Sequence, residues 1–164
     1  MNTTTLLSRQ GQRLLQLGVA LLLFTAFEGF AIPYFAVPPL GLSVHRLSAL
    51  EGVLLLPMGL LWPRLKLGVA GSRTAYWLLA YSALAIIAAY MMAAIWGAGD
   101  SLIRLAARTG HGSVVQETTI SIVAYSSAPT GIIAFALILW GLRINTANAD
   151  LTPARLTRGH HRPA

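Results

Sequence analysis

The chain contains no cysteine. A disulfide framework, a thiolate nucleophile, a cysteine-bound iron–sulfur cluster and covalently attached c-type haem are therefore excluded. Charge is nearly as scarce: Asp, Glu, Lys and Arg make up 10% of the 164 residues, against about 25% in an ordinary soluble domain. So few charges cannot coat a water-facing surface. Acids are the rarest, five against twelve Lys and Arg, which gives a net charge of +7. A basic chain can signal nucleic acid. Here the cations sit between and outside the apolar stretches, as in a membrane protein, so no nucleic-acid partner is expected.

What is present is apolar. Hydrophobic residues make up 55% of the chain, and the mean hydropathy is +0.65. Four runs stand out, at about 14–34, 44–62, 74–98 and 118–142, and the last two carry no charge. Each is near the ~20 residues needed to span a ~30 Å hydrocarbon core. The first run is too long for a signal peptide and lacks a small-x-small cleavage site, so it reads as a retained helix. Ala31-Ile32-Pro33 and Trp62-Pro63 should end the first two helices, because proline breaks the hydrogen-bond ladder. The expected fold is all-α: an integral membrane four-helix bundle over residues 1–143, followed by a polar, disordered tail over 144–164. Lys and Arg set the expected orientation. Arg9, Arg13, Arg64, Lys66, Arg73, Arg143, Arg155, Arg158 and Arg162 share one side, against Arg46, Arg104 and Arg108 on the other. That places both termini in the cytoplasm.

The polar residues inside the runs carry the functional expectation. Counted from the hydropathy boundaries, Glu28, Glu51, Tyr90 and Tyr125 fall at one depth, roughly 9–11 Å inside the outer face. A membrane acid costs roughly 2.5–3.5 kcal/mol to insert, so it normally faces the bundle interior and marks a site. A neutral carboxylic acid there can donate a proton. The bland rivals are a snorkelling Glu28, interior aromatics at Tyr90 and Tyr125, and an interfacial His45. Met58 and Trp62 follow Glu51 on one helical face and read as packing. His45 and Glu51 are six residues apart, about 120° off alignment, and so line two walls of one pocket or face two neighbouring sites. The alanines of the third run suit close helix approach and a central place in the bundle or an oligomer contact.

Several patterns together carry a family resemblance. They are Gly41-Leu42-Ser43-Val44-His45, Leu50-Glu51-Gly52, Leu60-Leu61-Trp62-Pro63-Arg64-Leu65, Ala93-Ala94-Ile95-Trp96-Gly97-Ala98-Gly99, Gln116-Glu117 and Leu139-Trp140-Gly141-Leu142-Arg143. Over about residues 14–143 the chain resembles the hydroxylaminobenzene mutases, bacterial membrane enzymes of nitroarene degradation. The stretch His45-x-x-x-Ala49-Leu50-Glu51-Gly52 is also similar to the haem-bearing helix of styrene oxide isomerases. Those are trimers in which the matching histidine holds haem b, an asparagine stands where this chain has Glu51, and a tyrosine matched by Tyr90 acts in catalysis.

The resemblance implies a multi-pass enzyme of the bacterial inner membrane, forming a homo-oligomer, trimeric by analogy. It would isomerise a small aromatic hydroxylamine, hydroxylaminobenzene, to 2-aminophenol by moving the hydroxyl from nitrogen to the adjacent ring carbon. Glu51, Glu28 and Tyr90 are the implied catalytic groups. Tyr125, Trp62, Trp96, Gln116 and Glu117 are the implied substrate contacts. His45 is the implied ligand of haem iron, although the residues alone are equally compatible with no metal. Two other readings stay open. One is a small proton-coupled multidrug-type exporter using its membrane glutamates. The other is a b-type haem electron carrier, which would need a second histidine facing His45. His111, His160 and His161 fall in polar segments and are not expected to act.

Overall fold

The computed structural model describes residues 3–100 and 112–143. Four helices dominate: α1 (Thr3–Ala31), α2 (Pro38–Leu61), α3 (Val69–Trp96) and α4 (Val114–Arg143). All four are long and apolar enough to cross a membrane. Large apolar side chains such as Leu23, Phe27, Leu84, Ile132 and Leu139 lie exposed on the outside, as lipid rather than water demands. Exposed Tyr34 and Trp96 at one end, and Trp77 and Trp140 at the other, form the amphipathic girdles typical of the two interfaces. The expected tail, His111, Arg104 and Arg108 lie outside the described residues.

The helices start earlier than hydropathy indicates: α1 at Thr3 rather than 14, α2 at Pro38 rather than 44, α3 at Val69 rather than 74, α4 at Val114 rather than 118. Polar and proline-bearing first turns reduce the apolar signal without preventing helix. Pro38 and Pro39 open α2, where proline's missing N–H costs nothing. The expected stops are met. α1 ends at Ala31, before a 3-10 turn over Ile32–Tyr34, and α2 ends at Leu61, before a second over Trp62–Arg64. Gly97, at φ 65°, caps α3 in the left-handed conformation that glycine adopts without strain.

Successive helices run antiparallel, with the most extensive packing between α1 and α2 and between α3 and α4. α3 touches the other three, whereas α4 rests mainly on α3. This central place for α3 is the one its alanines suggested; Ala75, Ala83, Ala89, Ala93 and Ala94 are almost wholly buried.

The α1–α2 contact is a narrow seam. Leu7, Gly11, Leu14, Gly18, Leu21, Thr25 and Glu28 are buried along α1, alternating four and three apart in the manner of coiled-coil core positions. Val44, Ser48, Gly52, Leu55 and Gly59 answer along α2, and Trp62 continues the line in the turn that follows. Glycines meet glycines. A Cβ on Gly11 would stand 2.6 Å from the Gly59 carbonyl oxygen, and one on Gly18 2.9 Å from that of Gly52. The Thr25 hydroxyl continues the line, donating to Ser48 Oγ at 2.8 Å.

At the far end of this seam, Gln10 ties three helices. Its Oε1 accepts from Trp62 Nε1 at 3.1 Å and from the Ser72 hydroxyl. Trp62 is fully buried and meets Tyr76 edge-on. Gln10→Leu should therefore strand two buried donors and cost about 1–3 kcal/mol, read as a lower unfolding midpoint in detergent. An unchanged midpoint would show that this node does not hold the bundle.

Candidate active site

The α1–α2 seam ends in a polar pair. Glu28 occupies the last seam position of α1, with its side chain 2% exposed, and its Oε2 lies 3.3 Å from Nδ1 of His45 on α2. The pair forms because the seam's four–three spacing turns residue 28 inward while the antiparallel register brings residue 45 alongside. A Cβ on Gly29 would lie 3.3 Å from both Nδ1 and Cε1 of the imidazole, so the missing side chain gives the ring its place against α1. The contact is one of distance: neither Glu28 oxygen nor His45 Nδ1 makes a hydrogen bond. The His45 side chain is 37% exposed. With Nδ1 turned to the carboxylate, Nε2 is left for whatever lies beside the helix pair. A carboxylate this close to one ring nitrogen favours a proton there and leaves the other nitrogen as the one able to bind a metal or carry a proton.

Glu51 does not join this pair. On α2, His45 and Glu51 flank Ser48 by about 60° on opposite sides, and the seam runs between them. Glu51 shares the face of Leu40, Leu47 and Met58, which pack into the clusters containing α3. It is partly buried. Six residues also separate its level from that of His45, about 9 Å along the helix.

The common depth read from hydropathy is thus only part of the picture. Glu28 and His45 are level, while Glu51 lies nearer the other end. The cause is the true start of α2 at Pro38, which moves Glu51 to the helix middle. Tyr90 packs against both core clusters. By the register that Val37–Ala94 and Trp62–Tyr76 set between α2 and α3, it lies within about one turn of His45's level. Tyr125 is 68% exposed on the outer surface of α4.

The remaining expected contacts are spread out. Trp62 is buried at the opposite end of the bundle, and Trp96 is exposed at the last turn of α3. Gln116 and Glu117 organise the start of α4. The Ser113 N–H donates to Gln116 Oε1 at 2.8 Å, and the Gln116 N–H donates to Ser113 Oγ at 3.3 Å, a reciprocal capping box. Glu117 Oε1 accepts from the Gly99 N–H at 2.7 Å, tying the end of α3 to α4. The glycine seam and Gly29 were missed in the sequence. Their signal was there, in Gly11 and Gly18 against Gly52 and Gly59, each pair seven apart.

Among the described residues, no group of three or more His, Cys, Asp or Glu side chains converges to hold a metal ion. Among the described residues the one histidine is His45. That suits a haem iron held on one side and not a bare ion in a polydentate cage.

A multi-pass helical membrane protein whose buried acid braces an imidazole has the makings of a membrane-embedded acid–base catalyst. Comparison with known proteins makes this specific. The styrene oxide isomerase family model matches residues 10–143, and the chain belongs to that family. Hydroxylaminobenzene mutase HabB of Ectopseudomonas oleovorans is 39% identical over 132 residues, 80% of each chain. Hydroxylaminobenzene mutase HabA of the same organism is 31% identical over 125 residues, 76% of this chain and 93% of the relative. No solved structure matches. The chain is an enzyme of the mutase type, as its resemblance implied. Nothing in these comparisons supports the exporter.

Proposed function

We propose that this enzyme moves the hydroxyl of an arylhydroxylamine from nitrogen to the adjacent ring carbon, converting hydroxylaminobenzene to 2-aminophenol in nitroarene degradation. The mutase relatives support the substrate class. The observation that carries the site is the buried Glu28 carboxylate 3.3 Å from His45 Nδ1.

The reaction is an isomerisation, so protons and electrons must balance within the site. The N–O bond breaks and a C–O bond forms ortho to nitrogen. The ring carbon gives up a proton and nitrogen gains one. Hydroxide is a poor leaving group, so the departing oxygen must receive a proton or a Lewis acid, and a base must collect the ring proton. One pair that gives a proton and takes one back meets this need. Glu28 holds the imidazole and keeps its charge balanced while His45 Nε2 faces the substrate side. Glu51, on the other flank of α2, is the second carboxyl able to exchange protons. Tyr90, on α3, lies within about one turn of the pair's level. An apolar substrate would arrive through lipid.

The resemblance to haem-bearing isomerases bears on His45, the one histidine among the described residues, whose side chain is 37% exposed. His45 would hold the iron through Nε2, which would then exchange no proton; the iron would supply a Lewis acid to the hydroxyl oxygen and the proton exchange would fall to Glu51. The cation-rich end carries Arg9, Arg13, Arg64, Lys66 and Arg73 and would lie in the cytoplasm. The enzyme would sit in the bacterial inner membrane as an oligomer, a trimer by analogy.

The test is anaerobic. Detergent-purified protein given phenylhydroxylamine should form 2-aminophenol without added oxidant or reductant. No product from folded protein would end this reading. Glu51→Gln should lower kcat by about 10²-fold if that carboxyl exchanges a proton in the rate-limiting step. Unchanged turnover would remove it from the mechanism and leave the proton to the Glu28–His45 pair.

A further inference from the structure

The end of the bundle opposite the Glu28–His45 pair carries a recess. A cleft of about 310 Å³ opens between the first turns of α1 and α3. Arg9 and Arg13 line it from one face of α1, four residues apart. Arg73 lines it from α3, with Tyr76 and Trp77 beside it, and among the described residues no acidic side chain lines it.

Gln10 completes the wall, and its orientation is fixed. Its oxygen is taken up by Trp62 Nε1 and the Ser72 hydroxyl. An indole N–H can only donate, so the amide cannot be reversed. What Gln10, 6% exposed, has left to offer the cleft is its N–H₂ group. The recess therefore gathers three arginines and the Gln10 amide, with Tyr76 and Trp77 also in its wall. Three confined cations repel unless an anion joins them. The Arg fork matches phosphate oxygens two at a time. The cleft also lies where two membrane helices begin, beside Trp77, whose ring is 66% exposed at the level of an interfacial girdle.

We propose that this cleft binds the phosphate group of an anionic phospholipid, with Arg9, Arg13 and Arg73 on the phosphate and the acyl chains running outside α1 and α3. Arg64 and Lys66 lie at the same end but do not line the cleft, so they separate a built site from general surface charge. The proposal is independent of the reaction catalysed.

The full chain, purified in neutral detergent and stripped of lipid, is titrated with phosphatidylglycerol, phosphatidylcholine or inorganic phosphate. Retention is read by native mass spectrometry and unfolding by a thermal ramp. Phosphatidylglycerol should be retained and should raise the unfolding midpoint, and phosphatidylcholine should do neither. Arg9→Gln with Arg73→Gln should weaken retention about 30-fold, while Arg64→Gln with Lys66→Gln leaves it within about threefold. Should the first pair fail to fold, Arg73→Lys keeps the charge, loses the fork, and should still weaken binding about fivefold. Equal retention of the two lipids would overturn the site, as would equal loss in both double variants. Inorganic phosphate acting as well as the lipid would overturn the assignment to a membrane lipid.

Discussion

His45→Ala should lower turnover of an arylhydroxylamine at least about 10³-fold, within the range that a lost acid–base group costs, while leaving the helices folded. His45 flanks the α1–α2 seam rather than filling it, and its side chain is 37% exposed. Removing the ring therefore opens no large core cavity. What is lost is the group presented by Glu28 to the substrate side. Glu28→Gln should be milder, about 10–100-fold, because the amide still reaches Nδ1 but cannot balance charge on the ring; loss of a supporting carboxylate typically costs this much. The order of the two effects is the informative result. Circular dichroism should show unchanged helix in both. If iron is held at Nε2, the visible spectrum of His45→Ala loses its haem band, while that of Glu28→Gln shifts and persists. Wild-type turnover in His45→Ala would remove the pair from catalysis.

Gly59→Leu should be the most damaging substitution away from the site. A Cβ there would stand 2.8 Å from the Gly11 carbonyl oxygen, 2.8 Å from Leu15 Cγ and 3.0 Å from the Leu15 amide nitrogen. Two of these are backbone atoms, which cannot swing away, so α1 and α2 must separate. Overpacking a well-fitted contact costs about 1–3 kcal/mol. The loss should be amplified here, because apolar side chains gain nothing over lipid by packing together and close fit is what holds the helices. The expected readout is a large drop in monodisperse protein on size exclusion after mild heating. Activity should fall with it, since the same seam positions Glu28 against His45. Gly68→Leu is the control: a Cβ there meets nothing within 4 Å. Equal behaviour of the two variants would refute close glycine contact as what holds α1 to α2.

Composition and hydropathy were enough to find four helices long and apolar enough to cross a membrane. Burying so many apolar residues with so few charges leaves no other solvent, and Pro33 and Pro63 fix the ends of α1 and α2 because proline lacks the donor a helix needs. The motifs around His45, Glu51 and Trp62 were also enough to reach the family. The membership of Glu28 and His45 in one pair was not legible. It depends on the register between α1 and α2, which is set by reciprocal glycines, Gly11 to Gly59 and Gly18 to Gly52. Hydropathy scores glycine as neutral and does not see a backbone contact. The same limit explains Glu51. Its depth was counted from an apolar boundary at Val44, whereas α2 begins at Pro38, and only the folded chain places it about 9 Å from the level of the pair. The one-dimensional pattern chooses the solvent and the helices; which polar groups meet is decided by how closely two backbones can approach.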